Sequence, residues 1–336
     1  MQDQIKEFTI FFTSILYEAM PFIVLGAVIA GLLEELVPQK IVARIIPRSR
    51  VLAIAIGGLL GLLFPMCECG IIPVMRRLLR KGVPLSCCVC YMLAGPIINV
   101  VVMVSTYVAF SGMEGLPPGP SGIRHLGGLQ MMTLRMGLGF LVAFGTSLVV
   151  EWQHRKYGNK LLAPLAMPPE SGSASVDEDE NGNGRKSVLQ RISSIAETSL
   201  HDFVDITVFL ILGAILASAS RFFLDREQVA SLASNYLLSI LIMMGLAILL
   251  CICSEADAFV GASFHSLPPA AKLAFLVLGP MLDLKLYMMY TRVFRPRLIW
   301  TIISCVVVQV FIYAILTHFC IQGFQWPSFI VKSPGL

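Results

Sequence analysis

Long apolar stretches separated by short polar ones dominate the chain. Six windows, 8–33, 84–110, 127–150, 203–224, 268–290 and 298–319, reach the ~20 largely apolar residues that a membrane-spanning helix needs. A seventh, 51–65, has 15 residues, which as a helix extend only about 22 Å. It runs into Cys67-Glu68-Cys69-Gly70, and 71–75 then leads to Arg76, Arg77, Arg80 and Lys81. Lys40, Arg44, Arg48 and Arg50 precede it, so both flanks are basic. Because Lys and Arg favour the cytoplasmic side, the pattern predicts a re-entrant hairpin here, with the Cys-Glu-Cys tip buried inside the protein.

The same pattern occurs twice. FPMCECGIIPV around Cys67 has a counterpart in LLCICSEADAF around Cys251, and AGPIINVVV in LGPMLDLKL. The interval from Cys67 to Gly95 equals that from Cys251 to Gly279, 28 positions. Pro84 and Pro268 share the offset of 184, as do Asn99 and Asp283. Earlier in each half, VLGAVIAG near Gly26 matches ILGAILAS near Gly213 at an offset of 187, which pairs Glu18 with Asp205. These coincidences predict a duplication, with a first membrane repeat over 1–151, a linker over 152–199 and a second repeat over 200–336. The linker sequence AMPPESGSASVDEDENGNGRKS has the Pro, Gly, Ser and acid content of a disordered, solvated segment.

Three crossings and one hairpin per half make an odd number of passes, so the second copy must be inverted. Under this scheme 17 of the 25 Lys and Arg fall in cytoplasmic segments, against Lys6, Arg124, Arg226 and Lys332 outside. The expected fold is therefore all-α and polytopic, with two inverted repeats of three transmembrane helices plus a re-entrant hairpin. Eight full crossings in parallel repeats are the alternative.

Composition agrees. Of the residues 56% are hydrophobic and 14% charged, against about a quarter charged in soluble domains, and the mean hydropathy is +0.79. The net charge of +4 is spread over short loops, which gives no nucleic-acid footprint. The first apolar window is too long for a signal-peptide core, so a cleaved signal is not expected. Nine cysteines, most of them in apolar segments, exclude a secreted disulfide scaffold.

Candidate chemistry lies where spans are interrupted. Gly95-Pro96 and Gly279-Pro280 sit about 12 residues into their windows, and proline removes a backbone donor and frees a carbonyl. Irregular backbone at membrane depth is tolerated where it is buried or lines a cavity, and inverted repeats with broken helices place substrate near the midplane. The candidate binding residues are thus Cys67, Glu68, Cys69, Gly95, Pro96, Asn99, Cys251, Cys253, Ser254, Glu255, Asp257, Gly279, Pro280 and Asp283. Ionisable groups in spans are functional candidates by default, which adds Glu18, Asp205, Arg135 and Lys285 as coupling or charge-balancing groups. Arg135 is expected to pair with one of the buried acids. Asp283 and Lys285, two apart, cannot face each other on a regular helix, and Lys285 has the option of snorkelling to the cytoplasmic face. Arg76, Arg77, Arg80 and Lys81 read as topology anchors.

Cys87, Cys88, Cys90, Cys305 and Cys320 read as packing residues. For the repeated Cys-x-Cys pairs, packing, contact with a soft ligand and redox chemistry all stay open. Thiolates favour copper(I), zinc and other thiophilic ions, so Cys67 and Cys69 are the candidate metal contacts. No Walker-type GxxxxGK[ST] sequence is present, so the chain does not hydrolyse ATP by that route.

FPMCECGIIPVMRRLLRKGVPL, LAGPIINVVVM, CSEADAFVGASF and KLAFLVLGPMLDLKLYMMY resemble the signatures of the predicted permease family of YraQ/ArsP type, over nearly the whole chain except the linker. The resemblance implies a multi-pass permease of the bacterial inner membrane, and some family members are similar to efflux carriers for trivalent organoarsenicals or soft metals. The family's cysteine motif maps onto Cys67 and Cys69. The expected function is secondary efflux of a thiophilic metal, metalloid or sulfur-containing small solute, without a cofactor, with a coupling proton and a homo-oligomer among the expected partners. The competing readings are a membrane thiol oxidoreductase using Cys67/Cys69 and Cys251/Cys253, and a non-transporting membrane scaffold.

Overall fold

The computed structural model describes residues 2–36, 49–63, 66–113, 126–158, 235–264 and 267–323, with scattered positions between 193 and 218. Among these residues regular structure is helical throughout. The elements are α1 (Gln2–Leu36), α2 (Arg50–Leu63), α3 (Glu68–Arg80), α4 (Leu85–Ala94), α5 (Val100–Phe110), α6 (Gly128–Tyr157), α7 (Tyr236–Leu250), α8 (Asp257–Ser263), α9 (Pro269–Leu278), α10 (Leu284–Val293) and α11 (Pro296–Gly323).

The apolar windows translate into helices of two kinds. The windows at 127–150 and 298–319 become α6 and α11, each continuous and long enough to cross a membrane. The windows at 84–110 and 268–290 are each divided at Gly-Pro, into α4 and α5 and into α9 and α10. The break follows from the chemistry: the proline ring cannot continue the hydrogen-bond ladder, and the next helix needs a fresh N-cap. Asn99 provides it for α5, its side chain accepting from the Val101 amide at 3.0 Å. Asp283 does the same for α10 through the Leu286 amide. The first window lies within α1. Of the window at 203–224, residues 210–215 are helical.

Helix α6 runs on to Tyr157, six residues beyond the expected end of the first repeat, and 159–192 lie outside the described residues. The side chain of Glu18 and all of Asp205 also lie outside them.

Packing in the two halves follows one scheme. In the first, α2 lies on α4, α3 on α4, α4 on α6 and α5 on α6; in the second, α7 lies on α9, α8 on α9, α9 on α11 and α10 on α11. Two contacts cross between the halves in a reciprocal manner, α3 with α10 and α8 with α5, and α6 lies against α11.

Both ends of the bundle are fixed by polar or aromatic contacts. At one end Glu151 of α6 pairs with Arg50 at the start of α2, accepts from Ser86 Oγ at the start of α4 at 2.9 Å, and pairs with Arg155 at 3.2 Å. There Arg297, at the start of α11, donates to the Tyr157 hydroxyl at 2.7 Å and covers its ring at 3.8 Å. At the opposite end of α11, His318 stacks on Tyr236 at the start of α7, with centroids 4.4 Å apart. Helices α2 and α7, which hold equivalent places in the two halves, thus begin at opposite ends.

The outward faces of the long helices are apolar, with Leu141, Leu148, Trp300, Val308, Ile312, Leu316 and Phe319 exposed. Continuous apolar surface on this scale marks a lipid-facing protein.

Candidate functional site

Each Cys-x-Cys sequence lies where one helix gives way to the next: Cys67 precedes α3, which begins at Glu68 and includes Cys69, whereas Cys251 to Cys253 are non-helical throughout. In the first half Met66 and Cys67 join α2 to α3, with Cys67 extended at φ −72°, ψ 169° as the N-cap. Pro73 then stands inside α3, so the Cys69 carbonyl four residues earlier loses its amide partner. In the second half Cys251 closes α7 in the left-handed region, φ 48°, ψ 41°, and is the only non-glycine with positive φ among the described residues. Such strain costs on the order of 1–3 kcal/mol and tends to occur where function requires it.

Close contacts draw these links and the two Gly-Pro breaks together. A Cβ on Gly95 would lie 2.7 Å from the Ile71 side chain, so the first break touches α3. A Cβ on Gly279 would lie 3.8 Å from Asp257 Oδ2, so the second break adjoins the second link. Pro96 and Pro280, next to these glycines, are buried as well.

Two buried ion pairs join the halves. Lys285, after the second break, donates to Glu68 Oε1 at 2.9 Å and stands 3.7 Å from Asp283 Oδ2. Arg135 of α6 donates to Asp257 Oδ2 at 2.8 Å, to the Ser254 carbonyl at 3.0 Å and to Thr106 Oγ1 at 2.7 Å. The four charged groups of the two close pairs are all 3% exposed or less. Ions so deeply buried are held by each other, and removing one partner leaves the other uncompensated.

Two sequence expectations change here. Lys285 does not snorkel to a surface, and it does approach Asp283. The restriction on residues two apart applies within a helix, whereas Asp283 is an N-cap with extended backbone at φ −137°, ψ 173°, which lets its side chain fold over the first turn. Arg76 and Arg77, read as topology anchors, are buried and bonded.

The remaining candidates sort by their neighbours. The thiols of Cys67 and Cys69 face one another beside Glu68. The Cys251 thiol donates to the Ile248 carbonyl at 3.5 Å, with the Leu284 and Lys285 amides close by, and Cys253 Sγ lies 3.6 Å from the half-buried Glu255. Among the described residues no group of three or more His, Cys, Asp or Glu is placed to hold a metal ion. Glu68 Oε2, Ser254 Oγ, Asp257 Oδ1, Asp283 Oδ2 and Arg135 Nε are buried without a hydrogen-bond partner. Polar atoms in that state are costly unless a ligand or water meets them.

Sequence reasoning missed Thr106, which satisfies one arm of Arg135, and Glu151, which ties three helix ends together. Both have a faint signal, the Ser105-Thr106-Tyr107 run of hydroxyls in the otherwise apolar α5 and a single acid where an apolar span meets basic residues.

Comparisons with known proteins identify a family. The family described as predicted permease, of ArsP type, matches residues 4–319. UPF0718 protein YcgR of Bacillus subtilis is 36% identical over 303 residues, covering 89% of this chain and 92% of that protein. A Streptococcus mutans protein named as a two-component membrane permease complex subunit is 30% identical over 308 residues, covering 91% and 93%. No solved structure matches the chain. From residue 4 to residue 319, through both broken helices and both cysteine links, the chain belongs to the predicted permease family of ArsP type.

Proposed function

We propose that the protein is a multi-pass secondary transporter of the bacterial inner membrane, built as two inverted repeats, which exports a thiophilic metal, metalloid or sulfur-containing small solute. The observation that carries this reading is the gathering of both cysteine links and both helix breaks around buried polar atoms that lack partners. Free backbone groups, half-helix termini and thiols at one depth suit a small polar or soft solute.

The inversion is supported by the opposite starting ends of α2 and α7. The hairpin is supported by the brevity of the connection from α3 to α4. Helix α2 starts beside Glu151, α4 starts beside the same residue, and only 81–84 separate α3 from α4. Helices α2 and α3 therefore leave from and return to one end of the bundle. The name of the streptococcal relative also supports a second membrane subunit as a partner.

In this reading Cys67 and Cys69 meet the soft atom of the solute, and the two cross-half ion pairs hold the repeats in register between steps. Nothing in the surroundings of Cys251 and Cys253 favours the thiol oxidoreductase alternative, since each thiol contacts a different acceptor.

The test is uptake into inverted vesicles of arsenite, methylarsenite, Cu(I), Zn(II) and thiosulfate, with and without a pH gradient. At least one of these is expected to accumulate, and the double substitution Cys67→Ser/Cys69→Ser is expected to abolish its uptake. Accumulation that survives the substitution would remove the cysteines from the transport path. Silence across the panel, with folded protein, would end the soft-cargo reading.

A further inference from the structure

Asn99 and Asp283 hold equivalent places in the two halves and perform the same local task. Each follows a Gly-Pro break, and each accepts a backbone N–H at the start of the next helix. An N-cap requires an acceptor, and amide and carboxylate serve about equally well. The first half uses the neutral amide, whereas the second half buries a carboxylate at 1% exposure. Capping does not account for that charge.

The second oxygen of Asp283 points to what does. Asp283 Oδ1 takes the Leu286 amide, while Oδ2 has no hydrogen-bond partner. The cation beside it, Lys285, gives its short contact of 2.9 Å to Glu68 and stays 3.7 Å from Oδ2. One ammonium thus serves two carboxylates, while Arg135 is matched to Asp257 alone. Among the described residues the other titratable groups around Asp283 are Tyr290 on α10, Glu68 and Cys69 from α3, and Cys251 at the end of α7. Tyr290 commits its hydroxyl to the Met281 carbonyl at 2.9 Å, so it does not donate to Asp283. From the helical segment 210–215, Gly213 packs against Lys285, a Cβ built on it falling 2.8 Å from Lys285 Cα.

Two carboxylates sharing one ammonium at this depth leave a net buried negative charge, which is strongly unfavourable. A metal cation at Oδ2 would need several oxygens around it and would face the Lys285 ammonium. A proton needs one lone pair. We propose that Asp283 carries one exchangeable proton, making it the proton-binding residue of this permease, with Asn99 as its non-titrating counterpart. The inference rests on the transporter reading and deepens it: the carboxyl releases H⁺ as carboxylate and rebinds it, and only an O–H bond forms or breaks.

Infrared difference spectroscopy of the full chain in lipid, titrated from acid to alkaline pH, reads this without a cargo. The expected result is a carboxylic-acid C=O band that disappears on deprotonation, shifts in D₂O and is absent from Asp283→Asn. The amide should preserve the cap, as it does at Asn99. A second measurement needs no substitution: carboxyl-¹³C aspartate in the wild-type protein should move the band. A band unmoved by labelled aspartate, or unchanged in folded Asp283→Asn, overturns the inference, and so does a band removed by sodium at fixed pH. A silent transport panel would sink the cargo reading and leave this band in place, so the two failures are distinguishable.

Discussion

Arg135 shows what single residues contribute. Its guanidinium reaches a carboxylate and a backbone carbonyl at the start of α8 and a hydroxyl of α5, using the planar fork that distinguishes arginine from lysine. Replacing it with leucine would leave Asp257 charged, buried and alone, with Asp257 Oδ1 already lacking a partner. The expected cost is about 3–5 kcal/mol, seen as a lowered unfolding midpoint in detergent. The double substitution Arg135→Leu/Asp257→Leu should recover most of it, because the penalty belongs to the unpaired charge. A double variant as unstable as the single would show that Arg135 acts through packing alone.

Among the elements, the short helices matter because of what approaches them. Helix α2 can lie on α4 and on the first break only because its contact residues lack side chains. A Cβ on Gly57 would fall 2.5 Å from the Cys87 carbonyl oxygen, and one on Gly61 2.7 Å from both Gly95 Cα and the Ile98 carbonyl. Backbone cannot yield as a flexible side chain can. Gly61→Ala is therefore expected to destabilise by about 1–3 kcal/mol through overpacking. Gly137, inside α6, has nothing within 4 Å of a built Cβ. Gly137→Ala should be neutral or stabilising by up to about 1 kcal/mol, from helix propensity alone. Thermal unfolding of the two variants side by side checks the contrast, and equal effects would mean that α2 does not pack as described.

The whole molecule presents a question of topology with a direct readout. In the inverted-repeat proposal, Ser49 and Lys81 flank the first hairpin on one side of the membrane, while Asn235, before α7, lies on the other. In a Cys320→Ser background, which removes the exposed native thiol, Ser49→Cys and Lys81→Cys should react with an impermeant maleimide from the same side. Asn235→Cys should react only from the opposite side. Labelling of positions 49 and 81 from opposite sides would favour eight full crossings and dispose of the hairpin.

The sequence alone determined the helical class, the order of the elements and the places where spans break. These depend on local chemistry: long apolar windows form helices, Gly-Pro ends them, and Asn or Asp starts the next. It also singled out Glu68, Arg135, Asp257, Asp283 and Lys285, because charge within apolar spans is rare enough to notice. What only the tertiary structure decided was the pairing. Glu68 and Lys285 are 217 positions apart and Arg135 and Asp257 are 122 apart, and no periodicity links such distant residues. Spacing also misjudged Asp283 and Lys285, since it assumed a helix where the chain is extended. Which ion meets which is set by the reciprocal crossing of α3 with α10 and α8 with α5, a consequence of how the two halves pack rather than of either half by itself.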